Sequence, residues 1–181
     1  TYGNGLFVVV GIVNGFSSAI LTSPDGITWT ERWADRTAKS IKHIMGITFG
    51  NGLFVTVGNV GRILTSPDGN SWTVNEITPS PKTIFLNVVN YLNGLFVTGD
   101  NFGKIFTSPN GINWTERTSG TVRKLNGVTF GNGLFVMVGD DGTILTSSDG
   151  TSWTERTSGK SEYLNGVTYG NGLFMTVGDS G

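Results

Sequence analysis

The chain has 181 residues, with 12 Lys and Arg against 13 Asp and Glu, a net charge of −1 and only 14% charged residues. So dilute a field argues against nucleic acid and against an anionic membrane surface, both of which need concentrated cationic charge. Cysteine is absent, which excludes disulfides, and 28 glycines against 5 prolines predict many tight turns between short strands. No apolar run approaches the roughly 18 residues that span a bilayer.

The string Asn-Gly-Leu-Phe recurs at 4–7, 51–54, 93–96, 132–135 and 171–174. A second signature falls between these copies: Ser23-Pro-Asp-Gly-x-x-Trp29, Ser66-Pro-Asp-Gly-x-x-Trp72, Ser108-Pro-Asn-Gly-x-x-Trp114 and Ser147-Ser-Asp-Gly-x-x-Trp153. A period of about 40 residues means that one small unit is repeated and that each unit buries its apolar faces against its neighbours. The repeats are read as 1–47, 48–89, 90–128 and 129–167, with a partial fifth at 168–181.

Each repeat reads as four strands, clearest over 125–156. Residues 125–130 form a first strand, and the turn Gly131-Asn-Gly133 follows, with glycines suited to positive φ. Residues 134–138 form a second strand, residues 139–142 a turn and residues 143–146 a third strand. Ser147-Ser-Asp-Gly150 fits a type I turn closed by a left-handed glycine, and 152–156 form the fourth strand. The second strand is apolar on both faces, with Leu134, Val136 and Val138 opposed to Phe135 and Met137. Such a strand belongs in a sheet sandwiched between other sheets. The fourth strand carries Thr-Glu-Arg at 30–32, 115–117 and 154–156, as suits a charged outer edge. Four-stranded sheets of this length, stacked face to face, predict an all-β fold: a β-propeller of four-stranded antiparallel blades, four full repeats plus a partial fifth. A β-solenoid is the alternative, disfavoured because its coils are much shorter.

The Ser-x-Asp-Gly-x-x-Trp hairpins resemble the Asp-box repeats of sialidase-like propellers and of related lectin and photosystem-assembly-factor propellers. The chain departs from that pattern by one residue fewer between Asp and Gly. The resemblance implies that Asp25, Asp68, Asn110 and Asp149 brace turns and that Trp29, Trp72, Trp114 and Trp153 are core. The Gly-Asn-Gly-Leu-Phe-Val repeats also look similar to those of bacterial surface and phage tail-fibre proteins.

Compared with one another, the repeats keep their strand 1–2 and 3–4 turns and vary their strand 2–3 and 4–1 connections. Rigid scaffolds commonly carry function on variable loops, so a ligand site is expected on the end of the blades that bears those connections. Drift of unconstrained loops would give the same pattern. Repeat 1 has the longest loops, the only His and the one Trp outside the Trp-Thr-Glu-Arg pattern. Trp33, Phe16, Arg36 and His43 are therefore the candidate stacking platform for a sugar or peptide, with Phe102 a further candidate. The plainer reading is that Trp33 and Phe16 cover the longer loop. Asp100, Asp140, Asp141 and Asp179, with Asn59 in the same register, invite a cation, but Asp and Asn are ordinary turn formers and no metal site is expected.

Enzyme chemistry finds little support. Residues 178–181 resemble the nucleophile segment of trypsin-like proteases yet are one more copy of the 139–142 turn. Sialidase activity needs an arginine cluster, whereas Arg32, Arg117 and Arg156 occupy one repeat position on outer strands. Arg36, Arg62 and Arg123 are better placed but are weak evidence alone. The expected function is a non-enzymatic recognition or adhesion module for glycan or protein, without cofactor, in an extracellular, cell-surface or virion setting. The alternative is a structural or assembly scaffold with a protein partner; a sialidase-like hydrolase is the remotest reading. Both termini fall mid-repeat, so completion of the ring by the remainder of a longer chain is expected, with self-association as the other route.

Overall fold

The computed structural model describes residues 1–13, 17–35, 43–77, 83–159 and 161–179. The chain divides into two compact units, Thr1–Tyr91 and Leu92–Gly181. In the first, strands β1 (Tyr2–Gly3), β2 (Leu6–Val13), β3 (Ser17–Ser23) and β4 (Thr30–Asp35) form one antiparallel sheet in chain order. Strands β5 (Ile44–Gly50), β6 (Leu53–Gly58), β7 (Arg62–Ser66) and β8 (Thr73–Glu76) form the next, again in chain order. A third sheet has β9 (Leu86–Leu92), β10 (Leu95–Asp100), β11 (Ile105–Ser108) and β12 (Thr115–Arg117). The second unit continues with a sheet of β13 (Leu125–Gly131), β14 (Leu134–Gly139), β15 (Ile144–Ser147) and β16 (Thr154–Arg156). It ends in a hairpin of β17 (Leu164–Gly170) and β18 (Leu173–Gly178).

The recurring Asn-Gly is a two-residue hairpin turn. Asn132 and Gly133 both have positive φ, 48° and 74°, and Gly131 pairs with Leu134 across them. That is the type I′ geometry whose twist matches the strands it joins, and Asn followed by Gly is the pair that adopts it most readily. The glycine before the Asn was expected to serve the turn. It belongs instead to the strand, and its role is packing: a Cβ on Gly131 would run into the ring of Tyr169 in the next sheet. Gly3 takes Phe49 and Gly50 takes Tyr91 in the same way.

The two-sided apolar strands are buried as their pattern requires. Val8, Ile20, Ile44, Phe54 and Leu64 form a core cluster between the first two sheets, with Leu6, Val10, Trp33, Ile47, Phe49 and Trp72 packed around it. In the second unit Val136, Val138 and Leu164 form the corresponding cluster, with Leu134, Ile144 and Val167 against it. Fully burying one aliphatic side chain of this size contributes about 1.5–3 kcal/mol.

The Ser-x-Asp-Gly-x-x-Trp turns are closed by side chains. Asp25 Oδ1 accepts the N–H groups of Ile27 and Thr28, each at 2.8 Å, and the hydroxyl of Ser23 at 2.9 Å. Ser23 Oγ in turn accepts the Gly26 N–H at 2.8 Å, and Gly26 has φ of 75°. Asp68 and Asp149 make the same bonds, and Asn110 substitutes its amide oxygen for the carboxylate. Each indole N–H reaches back to the turn glycine's carbonyl, as Trp72 does to Gly69 at 3.1 Å. The indoles differ from the expected core placement. Trp72, Trp114 and Trp153 are half-buried, each lying over a fully buried Phe at 6.2–6.5 Å between ring centroids. Trp29 is 38% exposed.

The outer strands are solvated, yet their arginines are fixed. Arg32, Arg117 and Arg156 each donate Nε to a diagonal Thr on the neighbouring strand, Thr22, Thr107 and Thr146, at 2.9 Å. In the second sheet Asn75 takes that place, with Nδ2 at 3.4 Å from Thr65. Each of these arginines belongs to a different sheet.

Candidate interaction site

The strand 2–3 turn and the connection after strand 4 emerge at the same end of each sheet. In the third repeat they enclose a cleft of about 320 Å³ lined by Phe102, Lys104, Glu116, Arg117, Ser119 and Val122 among others. Phe102 and Val122 are exposed large apolar side chains at its mouth. Between them Lys104 Nζ lies 3.1 and 3.2 Å from the two Glu116 carboxylate oxygens. That pair is solvent-exposed and contributes little to stability, so its charges are available to a partner at small cost.

Asp100 sets the geometry of the turn. Its Oδ1 accepts the N–H of Phe102 at 2.8 Å and of Lys104 at 2.7 Å, which holds the Phe102 ring outward. The carboxylate is fully buried and its Oδ2 has no hydrogen-bond partner among the described residues. Burial pushes its pKa up from the ordinary value, against the two N–H bonds, which pull it down. The opposite wall is shaped by Ser119, whose Oγ bonds both the N–H and the carbonyl of Thr121 at 3.2 Å. Gly103 lies so close to the Thr121 carbonyl that no side chain fits between turn and wall.

The fourth repeat has the equivalent cleft, about 460 Å³, lined by Asp141, Gly142, Glu155, Arg156, Thr157 and Ser158 among others. Here Asp141 stands where the third repeat has Phe102, and it pairs with Arg123 at 2.7 Å. The scaffold is kept and the contact chemistry is exchanged, from aromatic to charged.

The remaining predicted positions are placed as follows. Trp33 is half-buried on β4, beside a register shift between Ile20 and Leu21. It packs on the first core cluster, and the Arg62 guanidinium lies 5.5 Å from its ring centroid. One ring face is therefore committed within the protein, unlike an open stacking platform. His43 is half-buried, and its carbonyl accepts the Asn59 N–H at 2.8 Å. Phe16 and Arg36 lie outside the described residues. The acidic residues serve their own repeats: Asp140 accepts Asn126 Nδ2 at 2.8 Å and Asp179 accepts Asn165 Nδ2 at 2.7 Å. Among the described residues no group of three or more His, Asp or Glu is arranged to hold a metal.

Sequence reasoning had Phe102 but not Lys104, Glu116 or Val122, which ordinary charge and turn patterns do not single out. One signal was present. Asp100 stands where the other repeats have Gly58, Gly139 and Gly178, so the third repeat breaks the pattern at the residue that anchors the cleft.

Repeated four-stranded antiparallel sheets, joined through buried strand faces and carrying variable connections at one end, define a β-propeller. Residues 23–129, more than half of the chain, match the DUF6242 beta propeller domain, and the chain belongs to that family. No curated protein matches it. Among solved structures, the chain is similar to YCF48 bound to D1 peptide, at 20% identity and a TM-score of 0.68 over 91% of this chain and 55% of that one. It is similar to YCF48 from Cyanidioschyzon merolae, at 15% identity and a TM-score of 0.64 over 94% and 63%. A chain of a nidogen/laminin complex gives 16% identity and a TM-score of 0.64 over 89% and 64%. The chain thus spans between about half and two thirds of these structures' length. At these identities the likeness shows the fold: an all-β propeller of four-stranded antiparallel blades, four full repeats and a partial fifth.

Proposed function

We propose that this propeller is a non-enzymatic recognition domain that binds a protein segment at the blade end bearing the strand 2–3 and 4–1 connections. The observation that carries the reading is the cleft at Phe102: an exposed aromatic and an exposed Val122 beside Lys104, Glu116 and Arg117, on a turn fixed by buried Asp100. An apolar anchor with charged groups at its rim is the usual composition of a protein-binding hot spot. Similar propellers solved with a D1 peptide and in a nidogen/laminin complex lend support. A glycan ligand at Trp33 has less behind it, since that ring is half-buried and covered on one side by Arg62. Placement of such a domain on a bacterial surface or phage fibre rests on the look of its repeats, as does the Asp-box kinship of its turns.

Peptide and glycan arrays probed with the purified chain test the proposal. Peptide binders are expected, with affinity reduced about tenfold or more in Phe102→Ala, the loss of a hot-spot side chain. Binding confined to glycans, or peptide binding indifferent to Phe102, would refute it.

A further inference from the structure

The fourth repeat keeps a glutamate that the third repeat pairs, and lacks the lysine that pairs it. In the third repeat Lys104 stands just before β11 and Glu116 lies diagonally across on β12, with Nζ 3.1 and 3.2 Å from the two carboxylate oxygens. The same positions in the fourth repeat are Thr143, just before β15, and Glu155 on β16. Thr143 is buried and turns its hydroxyl to the Asp140 carbonyl at 2.7 Å. Glu155 is exposed and lines the cleft of about 460 Å³, and its carboxylate has no partner among the described residues. The neighbouring charges are engaged elsewhere. Asp141 is paired with Arg123 at 2.7 Å. Arg156 takes the other face of β16, as successive residues on a strand do, and Thr146 holds its Nε at 2.9 Å.

The clefts of the third and fourth repeats share a wall. Val122 lines the first of them, and the next residue, Arg123, reaches the Asp141 that lines the second. Both clefts lie within the unit Leu92–Gly181. The Gly142 N–H donates to the Glu162 carbonyl at 2.8 Å, which fixes the turn of the fourth repeat against its own connection. A protein segment that seats an apolar side chain at Phe102 and Val122 therefore meets the cleft of Glu155 as it continues past Arg123. The third repeat shows what this glutamate position receives, since Glu116 takes an ammonium group on both oxygens. An acidic side chain would instead meet two carboxylates, Glu155 and Asp141. Resting on the reading that this end of the blades binds a protein segment, we propose that the partner carries a lysine a few residues from its apolar anchor. The fourth-repeat cleft receives that lysine at Glu155, in the place Lys104 fills in the third repeat. Complementary charge of this kind sets orientation and choice of partner more than affinity.

Short peptides with one fixed leucine and a second fixed position, set at a series of spacings from it and filled by Lys, Gln or Glu, are the probe. Fluorescence anisotropy with the purified chain reads their affinities. At one spacing the lysine peptides are expected to bind about two- to fivefold tighter than the glutamine peptides, the size of an exposed ion pair, with the gain fading as salt rises. Glu155→Gln should erase that preference and leave the glutamine peptides unaffected, and Glu155→Lys should transfer it to the glutamate peptides. Glu155 has no side-chain partner to lose among the described residues, so both variants should melt as wild type does. Binding that depends on Phe102 but ignores the charge of the peptide would overturn the inference and leave the reading of the Phe102 cleft standing. So would a lysine preference that survives Glu155→Gln. Binding of no peptide, or binding indifferent to Phe102, would overturn both.

Discussion

The aspartates of the Trp-bearing turns do work that asparagine can do, with one difference that pH exposes. Hydrogen bonds from Thr28, Ile27 and Ser23 lower the Asp25 pKa from 3.8 to about 2, and bonds of the same kind lower those of Asp68 and Asp149. A folded-state pKa below the unfolded one means that these groups stabilise the fold above pH 3.8, an effect lost as pH falls towards 2. Asn110 makes the same two backbone bonds without a titrating group. The triple variant Asp25→Asn, Asp68→Asn and Asp149→Asn should therefore fold at neutral pH and show a shallower fall in melting temperature between about pH 4 and 2. A slope equal to that of wild type would mean that the turn carboxylates do not drive its acid sensitivity. Asp100 has the opposite sign. Its pKa is raised by burial, so it costs stability as pH rises above the ordinary carboxylate range, and it persists because it holds the Phe102 turn.

At the scale of the element, the β13–β14 hairpin is specified twice. Asn132 and Gly133 supply the positive φ that a type I′ turn demands, and Gly131 supplies the space the neighbouring sheet demands. These are separable. Gly131→Ala leaves the turn residues intact but places a methyl against the Tyr169 ring, and it should destabilise by about 1–3 kcal/mol as overpacking does. Denaturant titration measures it, and a neutral result would show that the ring moves aside freely. The turns and strand periods were legible because each is local: Asn-Gly, Ser-x-Asp-Gly and the two-sided apolar strand leave signatures within a few residues. The socket role of Gly131 was not, because the ring it receives lies 38 positions away in sequence and a glycine beside Asn-Gly reads as more turn.

For the whole molecule, stability should add up along the repeat rather than reside in one core. The hairpin of β17 and β18 covers Val136 and Val138 through Leu164 and Val167. A chain ending after Gly159 should keep the fourth sheet but melt at lower temperature, since the buried side chains of Val136 and Val138 lose their cover. Calorimetry reads the shift, and an unchanged melting temperature would mean that the hairpin is not coupled to the sheet it adjoins. The proposed binding belongs to this scale too, because the cleft at Phe102 joins a turn and a wall that neither strand alone contains.

The sequence by itself determined the repeat, the strand order within each sheet, the braced turns and the end of the blades that varies. All follow from short-range patterns that a reader can count. Only the tertiary structure decided which side chains those patterns bring together. It put Arg62 over Trp33 and so closed part of the expected platform, and it gathered Phe102, Lys104, Glu116 and Val122 around one cleft. A contact across a turn or between sheets depends on register and on the shape of the neighbour, and neither is written in the residues at one position.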